Sequence, residues 1–143
     1  MKYLILVSHG EFSQGLKQSL SMFAADNMDS VIAVGLLPGE AAGTLGKRFE
    51  QTLDQLPNDS QFVVLADIIG GSPLTTISNI LGERGKLADT LIFGGMNFPM
   101  ALTALMAKDS SDNSELEVKV LSEASNAVKV FKVPTDDADD DEI

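Results

Sequence analysis

The chain contains one histidine, His9, and no cysteine. Thiol nucleophiles and thiolate metal sites are therefore excluded, and one histidine without cysteines offers no transition-metal cluster. What remains is the imidazole itself. A neutral ring is nucleophilic, and a carboxylate bonded to one ring nitrogen fixes the tautomer so that the other nitrogen can attack. Asp67 is the candidate partner, because it too follows directly on an apolar run. Its charge would also stabilise the cationic ring formed once the histidine carries a phosphoryl group.

The segment Gly70-Gly71-Ser72-Pro73 supplies a second half-site. Glycines let backbone approach a ligand closely. Ser72 suits a helix N-cap and Pro73 the first helical position. The free N–H groups and positive dipole end of such a helix start form an anion site, here assigned to Gly71 and Ser72. Phosphoryl transfer needs mainly positioning and charge stabilisation, so no cofactor is called for. Each signal alone has a bland reading. A lone histidine after a strand is more often structural, Gly-Gly-Ser-Pro usually just starts a helix, Asp67 alone caps a loop, and Asn97-Phe98-Pro99 reads as a helix cap. Their combination decides for chemistry.

The elements that position these groups alternate along the chain. Tyr3 to Val7, Val31 to Leu36, Phe62 to Ala66 and Leu91 to Phe93 are short apolar runs. Each is followed by helical spacing: Phe12, Leu16, Leu20 and Phe23; then Ala42, Leu45, Phe49, Leu53 and Leu56; then Leu74, Ile77, Ile80 and Leu81; then Met100, Leu102, Leu105 and Met106. Continuous apolar strands alternating with amphipathic helices predict a doubly wound α/β fold, a mostly parallel sheet with helices on both faces. In the order 2-1-3-4, strands one and three adjoin at the switch point, and His9 faces Asp67 across the crevice where ligands bind in such sheets. Gly10, Pro38, Gly39, Asn97 and Pro99 fall on the same carboxyl edge and form the expected rim. Asp109 to Ser114 reads as a polar loop, and Leu116 to Glu123 fits neither period well. Ala127 to Val133 alternates and predicts an antiparallel edge strand.

Composition sets the outer bounds. At 143 residues, with 44% hydrophobic but only 6% aromatic residues, the chain suits one domain with an aliphatic core. The domain is expected over 1–133, with 134–143 an acidic disordered tail. Of the net charge of −11, six units lie on Asp136, Asp137, Asp139, Asp140, Asp141 and Glu142. With no basic stripe, a nucleic-acid partner is not expected. No stretch approaches the roughly 20 apolar residues of a membrane span and no signal-peptide pattern appears, so a cytoplasmic protein is expected.

Four ordered motifs, Leu6-Val7-Ser8-His9-Gly10-Glu11-Phe12, Pro38-Gly39-Glu40, Asp67-Ile68-Ile69-Gly70-Gly71-Ser72-Pro73 and Gly95-Met96-Asn97-Phe98-Pro99-Met100, resemble the mannose-family enzyme IIA domain. This is a component of the bacterial phosphoenolpyruvate:sugar phosphotransferase system. The resemblance runs from Met1 to about Val133. It implies that His9 accepts a phosphoryl group from phospho-HPr through Nε2 and donates it to an enzyme IIB, with Asp67 holding Nδ1 and Ser72 at the phosphate. It implies contact with membrane permease subunits only indirectly, and a homodimer exchanging the last strand near Val128 to Lys132. It also makes Glu115 to Ser125 helical. Thr75 departs from the Asn that many members carry there. The dihydroxyacetone kinase phosphotransfer subunit, with the same fold and histidine chemistry, usually has Ser after the histidine, whereas this chain has Gly10. A regulatory protein controlled by phosphohistidine is a third reading. Histidine phosphatases need an arginine before the histidine and a second histidine; Ser8 and the single His9 exclude them.

Overall fold

The computed structural model describes residues 1–135. Four strands, β1 (Lys2–His9), β2 (Val31–Leu36), β3 (Gln61–Ala66) and β4 (Leu91–Phe93), form one sheet in the order β2-β1-β3-β4. All three pairings are parallel, as the apolar runs predict. Along β1, residues Tyr3 to Ser8 are consecutively buried, because side chains of alternate residues enter opposite layers. Leu4 and Leu6 pack with Val63, Leu65 and Phe93 beneath α1 (Phe12–Ser21), α4 (Phe98–Ala107) and α5 (Asn113–Asn126). Tyr3, Ile5 and Val7 pack with Val64 and Ala66 beneath α2 (Ala42–Asp54) and α3 (Ser72–Glu83). Burying each large aliphatic side chain contributes about 1.5–3 kcal/mol, so these two layers outweigh local propensity in fixing the strands.

Two stretches lie beyond the regular strand–helix alternation. The first, 116–123, which fits neither period well and which the resemblance makes helical over Glu115 to Ser125, lies within α5, as the resemblance implies. Its start is a capping box: Asp112 accepts the Glu115 N–H at 2.8 Å, and the Glu115 carboxylate accepts the Asp112 N–H at 3.1 Å. The signature Asp112-Asn113-Ser114-Glu115 begins inside the expected polar loop, Asp109 to Ser114, and ends one residue beyond it.

The second is the expected edge strand, which the single chain leaves unpaired: residues 128–135 carry no regular secondary structure and are exposed, Val128, Val130, Phe131 and Val133 included. Alternation gives a strand its apolar face but not its hydrogen-bond partner, and this segment pairs with none of the four strands. The proposed boundary at 133 lies two residues before the end of the described part, and the acidic residues 136–143 lie outside it.

Candidate functional site

The carboxyl ends of β1 and β3 are adjacent, and the ladder runs on past β3 through the Asp67 N–H, which donates to Val7 O at 3.0 Å. His9 and Asp67 are thereby brought together. One carboxylate oxygen, Oδ2, accepts both the His9 backbone N–H at 2.8 Å and a bond with Nδ1 at 2.9 Å. The other, Oδ1, accepts the Ile68 N–H at 2.8 Å. The Asp67 side chain is 15% exposed and that of His9 49%. Partial burial pushes the Asp67 pKa up, but the His9 N–H, the His9 ring and the Ile68 N–H outweigh it and leave the pKa below the ordinary value. Asp67 is therefore ionised and can only accept. The network then assigns the ring proton to Nδ1 and leaves the lone pair on Nε2.

The Nε2 side of the ring meets the start of α3. A Cβ built on Gly71 would stand 2.7 Å from His9 Cε1 and 3.2 Å from Nε2, so only glycine leaves room for the ring there. Gly71 is itself the N-cap, in extended conformation, and no side chain caps this helix. Ser72, expected as the cap, is instead the first helical residue, and Pro73 follows it. The reason lies in Gly70, whose φ of +93° turns the chain one residue earlier than a serine cap requires. The consequence favours chemistry: the Ser72 hydroxyl is not spent on capping, and the first N–H groups of α3 lack an internal partner. The positive end of a 12-residue helix thus faces the free imidazole nitrogen.

His9 is held from its other side by the rim residue Gly10, and by Ser8, Ser13 and Gly35, to which the sequence assigned no role. Gly10, at φ +58°, donates its N–H to Leu36 O at 2.7 Å. A Cβ on Gly35 would stand 2.1 Å from Gly10 O, so β2 and the His9-Gly10 turn touch through backbone. The fully buried Ser8 hydroxyl donates to Gly10 O and accepts the Ser13 N–H at 2.8 Å, while buried Ser13 donates to Val34 O. A small polar residue inside an apolar strand, as Ser8 is, was the legible signal.

The rim divides. Pro38 and Gly39 form an exposed turn after β2, beside the edge of β1. Asn97 is consumed structurally: its Oδ1 caps α4 by accepting the Met100 N–H at 2.9 Å, and its Nδ2 donates to Ala124 O of α5 at 3.1 Å. Pro99 sits in the first turn of that helix. No hydrogen bond links either residue to His9 or Asp67 among the described residues. Nor does any group of three or more potential metal ligands occur among them.

A parallel α/β sheet carrying an oriented imidazole against an uncapped helix start defines a class of protein with a nucleophilic ring nitrogen beside a helix end suited to anions. Comparison with known proteins narrows that class. Residues 3–121 match the family model described as PTS system fructose IIA component, PTS being the phosphotransferase system. The fructose-specific EIIA component of Bacillus subtilis is 28% identical over 106 residues, 74% of this chain and 70% of that protein. The mannose-specific EIIAB component of Escherichia coli K12 is 26% identical over 130 residues, which are 90% of this chain but 39% of that longer protein. A PTS IIA protein associated with the fucose utilization operon of Streptococcus pneumoniae superposes with a TM-score of 0.71 at 29% identity, covering 92% of each chain. The mannose/sorbose-specific IIA subunit of Enterococcus faecalis shares the fold, with a TM-score of 0.75 at 23% identity over 94% of this chain and 98% of that one. The chain belongs to the PTS fructose/mannose IIA component family.

Proposed function

We propose that the protein is a phosphocarrier whose His9 Nε2 accepts a phosphoryl group from phospho-HPr and passes it to a cognate enzyme IIB during sugar uptake. One observation carries this reading: Asp67 holds Nδ1 at 2.9 Å while Gly71, at the start of α3, leaves space beside Nε2. In the first step the Nε2 lone pair attacks phosphorus, the bond to the donor breaks, and its electron pair leaves with the donor. The charge on the ring is balanced by Asp67. The phosphoryl oxygens rest against the Ser72 hydroxyl and the N–H groups of Gly71 and the first turn. The second step runs the same displacement outward, onto the nucleophile of enzyme IIB.

Both partners are proteins, and the surface around His9 suits protein contact. Phe12, Leu37, Ile68 and Ile69 are exposed apolar side chains on segments that follow β1, β2 and β3. An apolar collar around a half-exposed nucleophile is the layout of a docking face with reactive centre. No described helix is long and apolar enough to cross a membrane, and with protein donors in the cytoplasm the carrier works there, meeting the permease only through IIB. The exposed alternating segment 128–133 is read as the strand exchanged in a homodimer.

Incubation with phosphoenolpyruvate, enzyme I and HPr tests the main reading. Mass spectrometry is expected to find one acid-labile phosphate on His9, and His9→Ala is expected to accept none. Labelling elsewhere, or none in the wild type, would refute it.

A further inference from the structure

Glu40 belongs to one of the sequence motifs, yet its carboxylate is committed to its own loop. Oε1 accepts the Leu37 N–H at 3.1 Å, while the Glu40 N–H donates to Leu37 O at 2.9 Å, so the two residues close the turn from both sides. Gly39, at φ +78°, permits the reversal between them. Arg48 of α2 then reaches back over the turn. Its Nη2 donates to Glu40 Oε1 at 2.8 Å and to Gly35 O at 3.0 Å, and its Nε donates to Oε2 at 3.2 Å. One guanidinium fork thus joins the end of β2, the turn and α2. The Arg48 hydrogen bond, and after it the Leu37 N–H, hold the Glu40 pKa below the usual carboxylate range.

This clamp lies beside the reactive edge. His9 is opposite Leu36 in the β1–β2 register, and the Gly10 N–H donates to Leu36 O. Exposed Leu37 therefore stands one residue beyond the partner of His9, as a wall of the apolar collar. The Nε and Nη2 donors of Arg48 are taken up by Glu40 and Gly35, which favours a part in shape over one in binding phosphate.

We propose that Glu40 and Arg48 are a positioning pair that holds Leu37, Pro38 and Gly39 in the one conformation a phosphoryl-bearing partner protein meets. The inference rests on the reading of His9 as an acceptor from phospho-HPr. A turn ordered before encounter spares association the entropy of ordering it, so the pair acts on recognition and not on the reactivity of Nε2.

Two phosphoryl donors separate these effects. Phospho-HPr must dock; phosphoramidate is small, and its P–N bond breaks with loss of ammonia as the P–Nε2 bond forms. For Arg48→Ala and Glu40→Gln, the KM for phospho-HPr is expected to rise about tenfold while kcat changes by less than about twofold. The phosphoramidate rate is expected to stay at the wild-type level. Arg48→Lys keeps the charge without the fork and should behave as Arg48→Ala does. Wild-type KM in Arg48→Lys would overturn the clamp in favour of simple charge steering. An equal fall in the phosphoramidate rate would overturn it by placing the pair in His9 reactivity. A wild type that reacts with phosphoramidate but not with phospho-HPr would remove the donor assignment, and this inference with it.

Discussion

Asp67 carries three hydrogen bonds on two oxygens, and two of them come from His9. It therefore orients the imidazole and also closes the β1–β3 crevice, and Asp67→Asn separates the two tasks. Asparagine keeps the shape but has one neutral acceptor oxygen, so the Nδ1 proton is no longer fixed by charge. Phosphoryl acceptance is expected to slow by about 10- to 100-fold, as when a carboxylate that orients a working histidine is removed. The stability cost follows from charge-assisted bonds made neutral, about 1.5–3 kcal/mol near pH 7. Its pH dependence has a definite sign. The folded chain holds the Asp67 pKa below the ordinary 3.8, so the carboxylate contributes fully above that value. As pH falls through the lowered pKa the contribution disappears. Urea unfolding of both proteins across pH 7 to 2 should therefore show two curves far apart at neutral pH that converge in acid. A gap that does not narrow at all between pH 7 and the acid end of the series would mean that Asp67 acts through packing alone.

Strand alternation and helical spacing made the element order legible, because burial on both faces writes a continuous apolar run such as Tyr3 to Val7 directly into the sequence. The juxtaposition of His9 with Asp67 followed from that order alone, since parallel neighbours end at the same edge. Geometry that depends on a single φ was not legible in this way. Gly70 moves the α3 cap from Ser72 to Gly71, and nothing in the spacing of Gly-Gly-Ser-Pro says which glycine turns. Likewise the reach of Arg48 to Glu40 spans eight positions and two elements, beyond what any local period encodes. The α5 start was different: its capping box was present in Asp112 and Glu115 and was masked by the polar company around it. That cap has a measurable weight. Asp112→Ala leaves the Glu115 N–H without its side-chain acceptor, while the backbone N–H of residue 112 still faces the Glu115 carboxylate, and is expected to cost about 1 kcal/mol in denaturant unfolding. Because Asn97 ties α4 to α5 at Ala124 O, near the far end of α5, the loss should appear as faster hydrogen exchange in the first turn of α5, with His9 phosphorylation unaffected.

At the scale of the molecule, two of the exposed apolar stretches among the described residues differ in kind. Phe12, Leu37, Ile68 and Ile69 are exposed on the segments that follow β1, β2 and β3, and as the proposed docking face they would stay open between encounters. The segment bearing Val128, Val130, Phe131 and Val133 lies after α5 and has no catalytic group beside it. An alternating apolar stretch with unpaired backbone groups is a liability for a protein that stays single, because exposed strand edges recruit other chains. The proposed exchange with a second copy would resolve it, since each segment would gain a ladder and bury one face while closed two-fold pairing would prevent further growth. Phe131→Asp places a charge where that face would be buried and leaves the rest of the chain untouched. Sedimentation equilibrium is expected to give a dimer for the wild type and a monomer for the variant, with thermal stability falling and becoming independent of protein concentration. A wild type that sediments as a monomer would show that the segment serves a different partner. If the variant monomer still takes up phosphate on His9 at the wild-type rate, then each reactive centre is complete within one chain. That outcome is expected, because His9, Asp67, Gly71 and Ser72 all come from the same sheet edge of one chain.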